Sequence, residues 1–150
     1  MIRAATPSDL NAIAQIEQAT QSHGWTFQQL ADELERPNGH LLVATTNSEV
    51  IGFAAGWSVA EETHILDVAV SASERRNGVG RALVEALLTL CGNPIAMLEV
   101  RDSNTPARAL YESLGFKTVG RRERYYKDGE AAVLMTLESA NAEVILLGER

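Results

Sequence analysis

A chain of 150 residues, 45% of them hydrophobic, is long enough for one domain with a buried core and too short for two. Its formal net charge of −7 argues against nonspecific nucleic-acid binding, which needs a basic surface, and favours a cationic partner. The N-terminal residues contain no signal-peptide core, and no apolar run approaches the ~18 residues of a membrane span. We therefore expect a cytoplasmic protein without membrane contact.

The cysteine and histidine content argues against a disulfide or a metal centre. A single cysteine cannot form an internal disulfide or a cysteine-built zinc site, and Cys91 falls near the end of a predicted helix. Its more common role there is that of a small core hydrophobe rather than a reactive thiol. The three histidines, His23, His40 and His64, have no ligand spacing. We therefore expect no metal.

Capping signals and apolar runs divide the first half of the chain into helices and strands. Residues 2–4 form a short strand, and Thr6 then caps a helix with Pro7 at its first position and Asp9 as the capping-box partner. Thr26 begins a second helix by the same kind of signal. Three further strands, whose spacing indicates an antiparallel meander, are predicted at residues 41–44, 50–59 and 64–70.

In the second half of the chain, helices alternate with strands. Apolar residues recur at three- and four-residue spacings behind Gly78, which predicts a helix with one face packed on the sheet. Asn104 caps a further helix, and Gly115 stands where a left-handed C-cap belongs. The remaining strands are predicted at residues 95–100, 117–126 and 131–137.

The element order βααβββαβαββ indicates a mixed α/β sheet of about seven strands, mostly antiparallel, flanked by about four helices. We expect the strands that end near Val70 and Val100 to lie side by side, joined by the helix behind Gly78 as a right-handed crossover. A single domain is placed at residues 1–137. A C-terminal tail follows at residues 138–150, whose apolar residues pack on the domain or on a second copy.

Residues 76–81 read R-N-G-V-G-R and directly precede the third helix. Glycine lets backbone amides approach an anion, and the amides of a first helical turn have no intrahelical partner, so this segment is suited to bind phosphate. A Walker loop would need Lys-Ser/Thr after Gly80, and a dinucleotide-binding motif would need a small residue in place of Leu83. A phosphate site of another kind and a plain helix cap are the alternatives that fit better.

Two side chains in the second half are candidates for acid–base chemistry. Alternation along the strand places Glu99 on the face of Ile95 and Met97, where we expect it to be half-buried. Burial would raise its pKa toward that of a useful general base, whereas the structural alternative is an ion pair with Arg101 or another arginine. Tyr111 lies on the inward stripe of the following helix, where the pattern alone favours a core aromatic over a catalyst.

Several segments together resemble the GNAT family of N-acetyltransferases. They are Val68-Ala69-Val70, Arg76-Asn77-Gly78-Val79-Gly80-Arg81, Leu98-Glu99-Val100-Arg101, Asn104 and Ala109-Leu110-Tyr111-Glu112-Ser113-Leu114-Gly115-Phe116. The glycine segment carries the family resemblance. The later segments look like the RimI branch, bacterial enzymes that acetylate the N-terminal amine of a small-subunit ribosomal protein. The resemblance covers residues 6–137.

This resemblance implies an acetyl-CoA-dependent enzyme that transfers the acetyl group directly, in a ternary complex, to the N-terminal alanine of such a protein. It assigns Glu99 as the base that deprotonates the amine through water, and Tyr111 as the acid that protonates the departing CoA thiolate. The Val70 amide would face the thioester carbonyl oxygen. The implied cofactor-binding residues are Val68, Ala69, Val70, Arg76, Asn77, Gly78, Val79, Gly80, Arg81 and Asn104.

Peptide recognition is expected at Trp25, before the second helix, and at Tyr125 and Tyr126 in the last hairpin. These aromatic residues are either solvent-facing anchors or packing residues. The sequence departs from the RimI branch at two positions near this substrate side, since Gly24 stands where proline is frequent and Asp67 where asparagine is common. The departures bear on peptide preference more than on cofactor binding.

The expected partners are acetyl-CoA and the N-terminal segment of a protein, with no direct nucleic-acid contact, and the expected state is a monomer or weak dimer. The alternatives are a GNAT enzyme acting on lysine side chains or small amines, a non-catalytic CoA-binding module, and a nucleotide oxidoreductase. The presence of both Glu99 and Tyr111 argues against the non-catalytic module.

Overall fold

The computed structural model describes residues 1–21 and 24–138. The predicted tail therefore lies outside the described residues, except for its first position. Four α-helices are present in the described part: α1 (Leu10–Thr20), α2 (Phe27–Glu35), α3 (Val79–Cys91) and α4 (Thr105–Ser113). The strands there are β1 (Ile2–Ala4), β2 (Gly39–Thr46), β3 (Glu49–Val59), β4 (Glu62–Val70), β5 (Ile95–Arg101), β6 (Lys117–Arg122) and β7 (Ala132–Glu138).

The helix starts follow the capping signals of the sequence. The Thr26 hydroxyl accepts a hydrogen bond from the Gln29 N–H at 3.2 Å, and the Gln29 side chain accepts one from the Thr26 N–H at 2.8 Å. This completes a capping box. The signal at Thr6 starts a 3₁₀ turn, Pro7–Asp9, and α1 begins only at Leu10, so the predicted helix start is three residues early.

The strands form one sheet in the order β1-β2-β3-β4-β5-β7-β6. Strands β1 to β4 pair antiparallel, as the meander predicts, and β7 pairs antiparallel with both β5 and β6. Only β4 and β5 run parallel among the described strands, and α3 connects them as expected. The predicted fold class, a mostly antiparallel mixed α/β sheet flanked by helices, is confirmed.

Each face of the sheet is covered by a pair of helices. On one face, Leu83 and Leu87 of α3 are fully buried in a cluster that also contains Tyr111 of α4. On the other face, Ile13 of α1 and Leu30 of α2 are fully buried against strands β2 and β3. The helices therefore cover both faces of the sheet. Residues of α1 and α4, from opposite faces, approach each other near β4 and β5.

The parallel pair β4 and β5 stays together for only part of its length. The paired register ends where Ile65 lies opposite Leu98. A β-bulge coincides with this point, since β3 pairs with the residues on either side of Leu66 and leaves Leu66 as the extra residue. Beyond it, residues 66–70 and 99–101 border an opening that we call the strand cleft.

The last hairpin differs from the prediction of a strand over residues 117–126. Strand β6 ends at Arg122, and Arg124 has a φ of +53°, a left-handed conformation that ends the extended strand. Residues 123–131 instead form a long connection, which we call the β6–β7 connection. It turns toward the end of β5, and Asp102 donates its N–H to the Ala131 carbonyl at 3.1 Å.

None of the helices within residues 1–21 and 24–138 has the length and apolar character needed to traverse a bilayer.

Candidate active site

At one end of the strand cleft, the first turn of α3 presents main-chain N–H groups. Gly78 has a φ of +78° and is the N-cap, a conformation that suits glycine because it lacks a Cβ. The first i→i−4 bond of α3 joins the Ala82 N–H to the Gly78 carbonyl at 3.0 Å. The N–H groups of Val79, Gly80 and Arg81 precede that bond, so they have no intrahelical acceptor and are free to bind an anion. The Ala82 N–H is already used within the helix.

The arginines around this turn behave differently from one another. Arg76 is exposed and has a left-handed φ of +67°, which tightens the turn ahead of Gly78. The Arg81 guanidinium instead donates to Ser113 Oγ at 3.0 Å and lies 3.8 Å from Glu85. Arg81 therefore ties α3 to α4 through its side chain, and it offers an anion its main-chain N–H.

In the middle of the strand cleft, a cavity of about 490 Å³ opens between β4, β5, α1 and α4. We call it the cleft cavity. Its lining residues are Glu17, Thr20, Gln21, Gly24, Trp25, Leu66, Asp67, Val68, Glu99, Val100, Arg101, Ser103, Asn104, Ala107, Tyr111 and Tyr126. It brings together six residues predicted at the site, Trp25, Val68, Glu99, Asn104, Tyr111 and Tyr126. The glycine segment, Ala69, Val70 and Tyr125 are not among the lining residues.

Tyr111 is held rigidly at the inner wall of this cavity. Its side chain is 6% exposed and packs edge-on against Phe116, with ring centroids 5.6 Å apart. Burial raises the pKa of the Tyr111 phenol strongly, and the nearby Asp67 carboxyl raises it further. The phenol therefore keeps its proton at neutral pH, which is the form that an acid role requires. The core and catalytic interpretations of Tyr111 are compatible.

Glu99 lies in the cleft cavity, but it is exposed, so the expectation of a half-buried carboxylate is wrong. The alternation itself is correct, because Leu98 and Val100 on the opposite face are buried. The face of Glu99 opens to solvent because β4 has already diverged from β5 at this level. Its carboxylate lies close enough to the Tyr125 hydroxyl to raise the pKa of that phenol.

The structural alternative for Glu99, an ion pair with Arg101, is replaced by another network. The Arg101 guanidinium donates to Asp128 Oδ2 at 2.8 Å and to Glu130 Oε1 at 3.0 Å. It also lies 4.1 Å from the centre of the Tyr126 ring, a cation–π contact. These contacts fix the β6–β7 connection against β5 and position Tyr126 as one wall of the cavity.

Asn104 performs the local role that the sequence predicts, since its Oδ1 accepts a hydrogen bond from the Ala107 N–H at 3.2 Å and caps α4. Both residues also line the cleft cavity. Trp25 also lines this cavity and is partly buried against the α1–α2 core. Two of the predicted aromatic residues thus face one cavity, while Tyr125 packs edge-on against Tyr126 at 5.1 Å.

Two acidic residues of the cavity were missed as site residues by the sequence. Glu17 is 1% exposed, and its Oε2 accepts a hydrogen bond from the Trp25 N–H at 2.9 Å. Asp67 Oδ1 accepts one from Gln21 Nε2 at 3.0 Å. The available signal was the position of Glu17, four residues after the buried Ile13, which puts a charged residue on an apolar stripe.

The remaining candidate chemistry is limited. In the part of the chain that the structure describes, no group of three or more His, Cys, Asp or Glu side chains is placed to hold a metal ion. Cys91 is partly buried among the residues that pack against the α3 core. Burial raises the pKa of its thiol, and the nearby Thr63 side chain partly offsets that effect. This environment suits a packing residue, as the sequence predicts.

Residues 10–116 match the model of the Acetyltransferase (GNAT) family, which is more than half of the chain. The chain belongs to this family. The enzyme is accordingly a GNAT N-acetyltransferase, and acetyl-CoA is the acetyl donor of the family. The first turn of α3 fits such a donor, because its N–H groups and the open side of Gly78 can accommodate a diphosphate, with no atom within 4 Å of a Cβ placed at Gly78.

Similar proteins include several enzymes that acetylate α-amines. The [ribosomal protein bS18]-alanine N-acetyltransferase of Escherichia coli is 39% identical over 137 residues, which cover 87% of this chain and 91% of that protein. An N-alpha-acetyltransferase of Sulfurisphaera tokodaii is 31% identical, covering 89% and 90%. The crystal structure of the Escherichia coli ribosomal-protein-alanine N-acetyltransferase has a TM-score of 0.84 at 35% identity, covering 91% and 92%.

Proposed function

We propose that this GNAT enzyme acetylates the N-terminal α-amine of a protein, specifically the N-terminal alanine of a small-subunit ribosomal protein, in the cytoplasm. The observation that carries the proposal is that Glu99 and Tyr111 line one cavity, between aromatic walls formed by Trp25 and Tyr126. The names of its relatives from bacteria and archaea support an α-amine acceptor.

The acetyl donor is proposed to enter along the strand cleft. The N–H groups of Val79, Gly80 and Arg81 would hold its diphosphate, with the dipole of α3 adding favourable field. Beyond Ile65, β4 stays paired with β3, but its edge facing β5 has no strand beside it in the described part of the chain, so an extended pantetheine arm can pair there as an added strand. This course would direct the thioester toward Tyr111.

The two candidate catalytic residues divide the proton transfers. Glu99, through a water molecule, accepts a proton from the incoming ammonium, and the neutral amine then attacks the thioester carbonyl carbon. The carbonyl oxygen gains negative charge, which the Val70 N–H is proposed to stabilise. As the C–S bond breaks, the Tyr111 phenol gives its proton to the departing thiolate. The attacking nitrogen loses its second proton through water to the Tyr111 phenolate, and Glu99 releases the first proton to solvent. The products are therefore the amide, the CoA thiol and one proton, with no covalent enzyme intermediate.

An α-amine suits this arrangement better than a lysine side chain. With a pKa near 8, roughly 10% of an N-terminal amine is neutral at pH 7, whereas the fraction for lysine, near 10.4, is below about 0.1%. A solvent-exposed carboxylate such as Glu99 is a modest base, so it gains most from an acceptor that deprotonates readily. The net charge of −7 would attract either kind of cationic acceptor.

The test is CoA-thiol release from acetyl-CoA with a matched set of acceptors. A peptide with N-terminal alanine should be acetylated on its α-amine, located by mass spectrometry. The same peptide with a blocked N-terminus and an internal lysine should not react. Preferential turnover of the lysine peptide or of free polyamines would overturn the α-amine assignment. Binding of acetyl-CoA without turnover of any acceptor would favour the non-catalytic module instead.

A further inference from the structure

The segment that carries Trp25 rests on a buried carboxylate. Glu17 lies inside α1, and its Oε2 accepts the Trp25 N–H at 2.9 Å. The main chain at Gly24 approaches so closely that a Cβ there would lie 2.7 Å from Glu17 Cγ and 2.8 Å from Oε2. Glycine at this position therefore allows the segment to pack directly against Glu17.

The second oxygen of Glu17, Oε1, has no hydrogen-bond donor of its own among the described residues. Glu17 Oε1 is fully buried, and within residues 1–21 and 24–138 no N–H or O–H group donates to it. The Asp67 carboxyl lies within hydrogen-bonding reach of Glu17, and its Oδ1 already accepts the Gln21 amide. Two carboxyl groups in such contact attract each other only when a proton lies between them.

The environment favours that proton. Burial raises the pKa of Asp67 well above its ordinary value, and the contact with Glu17 raises it further. The Gln21 amide and the Val68 N–H act in the opposite direction and do not cancel the effect. Because the two groups are coupled, the proton belongs to the pair.

We propose that Glu17 and Asp67 share one proton, that this proton bridges α1 to β4, and that the bridge positions the Trp25 wall of the cleft cavity for acceptor binding. The inference rests on the proposed function, since it assigns to the acceptor side the two positions where the sequence departs from the RimI branch. Gly24 and Asp67 both contact Glu17, so the two departures form one arrangement.

The other titratable and charged groups around the pair come from three elements. Tyr111 of α4 is close enough for Asp67 to affect its pKa, and Glu99 and Arg101 of β5 line the same cavity, as does Tyr126 of the β6–β7 connection. When the shared proton is lost as the pH rises, two adjacent buried carboxylates repel each other. The segment at Trp25 then loses its support, while the first turn of α3, outside the cavity lining, does not.

The closing experiment compares acceptor KM against pH in the wild type, D67N and E17Q. Each amide supplies a permanent N–H in place of the shared proton, from opposite sides of the pair. We expect acceptor KM to rise about tenfold at alkaline pH in the wild type and to stay nearly flat in both amide variants. KM for acetyl-CoA should not change with the pair. Parallel pH profiles in all three proteins would overturn the proposal.

The acceptor's own ionisation is common to all three proteins, so it cancels in the comparison. D67A cannot bridge at any pH, so its acceptor KM should be raised throughout. A low acceptor KM in D67N beside a raised one in D67A would show that a hydrogen bond, and not packing alone, supports the Trp25 segment. Equal KM values for D67A and D67N would contradict the bridge.

A second measurement separates failure of this inference from failure of the proposed function. If no N-terminal peptide is acetylated, the proposed function fails, yet the ¹³C shift of the Asp67 carboxyl still reports its protonation. A carboxyl that stays protonated to neutral pH in the wild type, and a Glu17 resonance that changes in D67N, would support the bridge. An Asp67 carboxyl ionised at its ordinary pKa would overturn it.

Discussion

The two ends of the strand cleft are built from different chemical groups. The proposed donor end, at the start of α3, presents main-chain N–H groups around Gly78. The proposed acceptor end presents side chains contributed by α1, β5 and the β6–β7 connection, held by ion pairs and buried carboxyl groups. A site built from main-chain groups tolerates substitutions that keep the backbone conformation. A site built from side chains can change its preference among acceptors with a single substitution.

The largest effect is expected where the two ends meet. Tyr111→Phe should lower kcat by about 10²-fold or more, because the departing thiolate loses its proton donor. Acetyl-CoA and acceptor binding should change little, since the ring contact with Phe116 is kept. Steady-state kinetics check this result, with thermal unfolding as the control for folding. Wild-type kcat in this variant would remove Tyr111 from the mechanism.

Glu99→Gln tests the acceptor end and should lower turnover by about 10²-fold at neutral pH. The loss should shrink as the pH rises, because a larger fraction of the acceptor amine is then already neutral. Glu112→Gln, a change at an exposed glutamate on α4 outside the cavity lining, is the matched control. A pH-independent deficit would indicate that Glu99 only supports Tyr125.

Gly78→Ala tests the donor end alone. Alanine at a φ of +78° costs about 1 kcal/mol, so the Kd for CoA, measured by calorimetry, should rise about fivefold while acceptor KM is unchanged. Gly129→Ala is the matched control, because Gly129 has a φ of +91° and equally open surroundings but lies in the β6–β7 connection. Equal losses of CoA affinity in both variants would contradict a main-chain donor site.

Asp9→Asn should affect stability and leave turnover unchanged. A bidentate pair with Arg3, at 2.7 and 3.0 Å, lowers the pKa of Asp9 from 3.8 to about 2. The carboxylate therefore stabilises the fold above about pH 4, and this contribution is lost as the pH falls through about 2. The variant should lose about 1–2 kcal/mol at pH 7, measured by denaturant unfolding, and should match the wild type near pH 2.

Asp67 should change the stability of the fold with pH in the opposite direction to Asp9. Because its folded pKa is raised, its contribution is present near pH 4 and is lost as the pH rises toward the folded value. Stability measured against pH should therefore fall in the wild type relative to D67N as the pH increases. Identical slopes in the two proteins would mean that Asp67 titrates alike in the folded and unfolded chains.

The sequence was sufficient for several features that depend on neighbouring residues. The capping box at Thr26, the start of α3 after Gly78 and the left-handed Gly115 are local conformational preferences, and the structure confirms them. The β6 boundary was wrong for a local reason as well, since Arg124 adopts a left-handed φ that arginine rarely takes.

Features that depend on register between distant strands could not be predicted. The period of two placed Glu99 on the correct face, but its exposure depends on the bulge at Leu66 and on where β4 leaves β5. Contacts across about 50 residues, such as Glu17 with Asp67, have no local pattern that reveals them.

Chain-local chemistry thus specified the elements, their order and the helix start proposed to bind the diphosphate, because backbone preferences and hydrophobic periodicity act within a few residues. Tertiary structure decided where the sheet opens, which carboxyl groups are buried and which aromatic residues face one another. Those outcomes depend on packing between segments far apart in the chain, and burial and electrostatic coupling exist only after those segments have met.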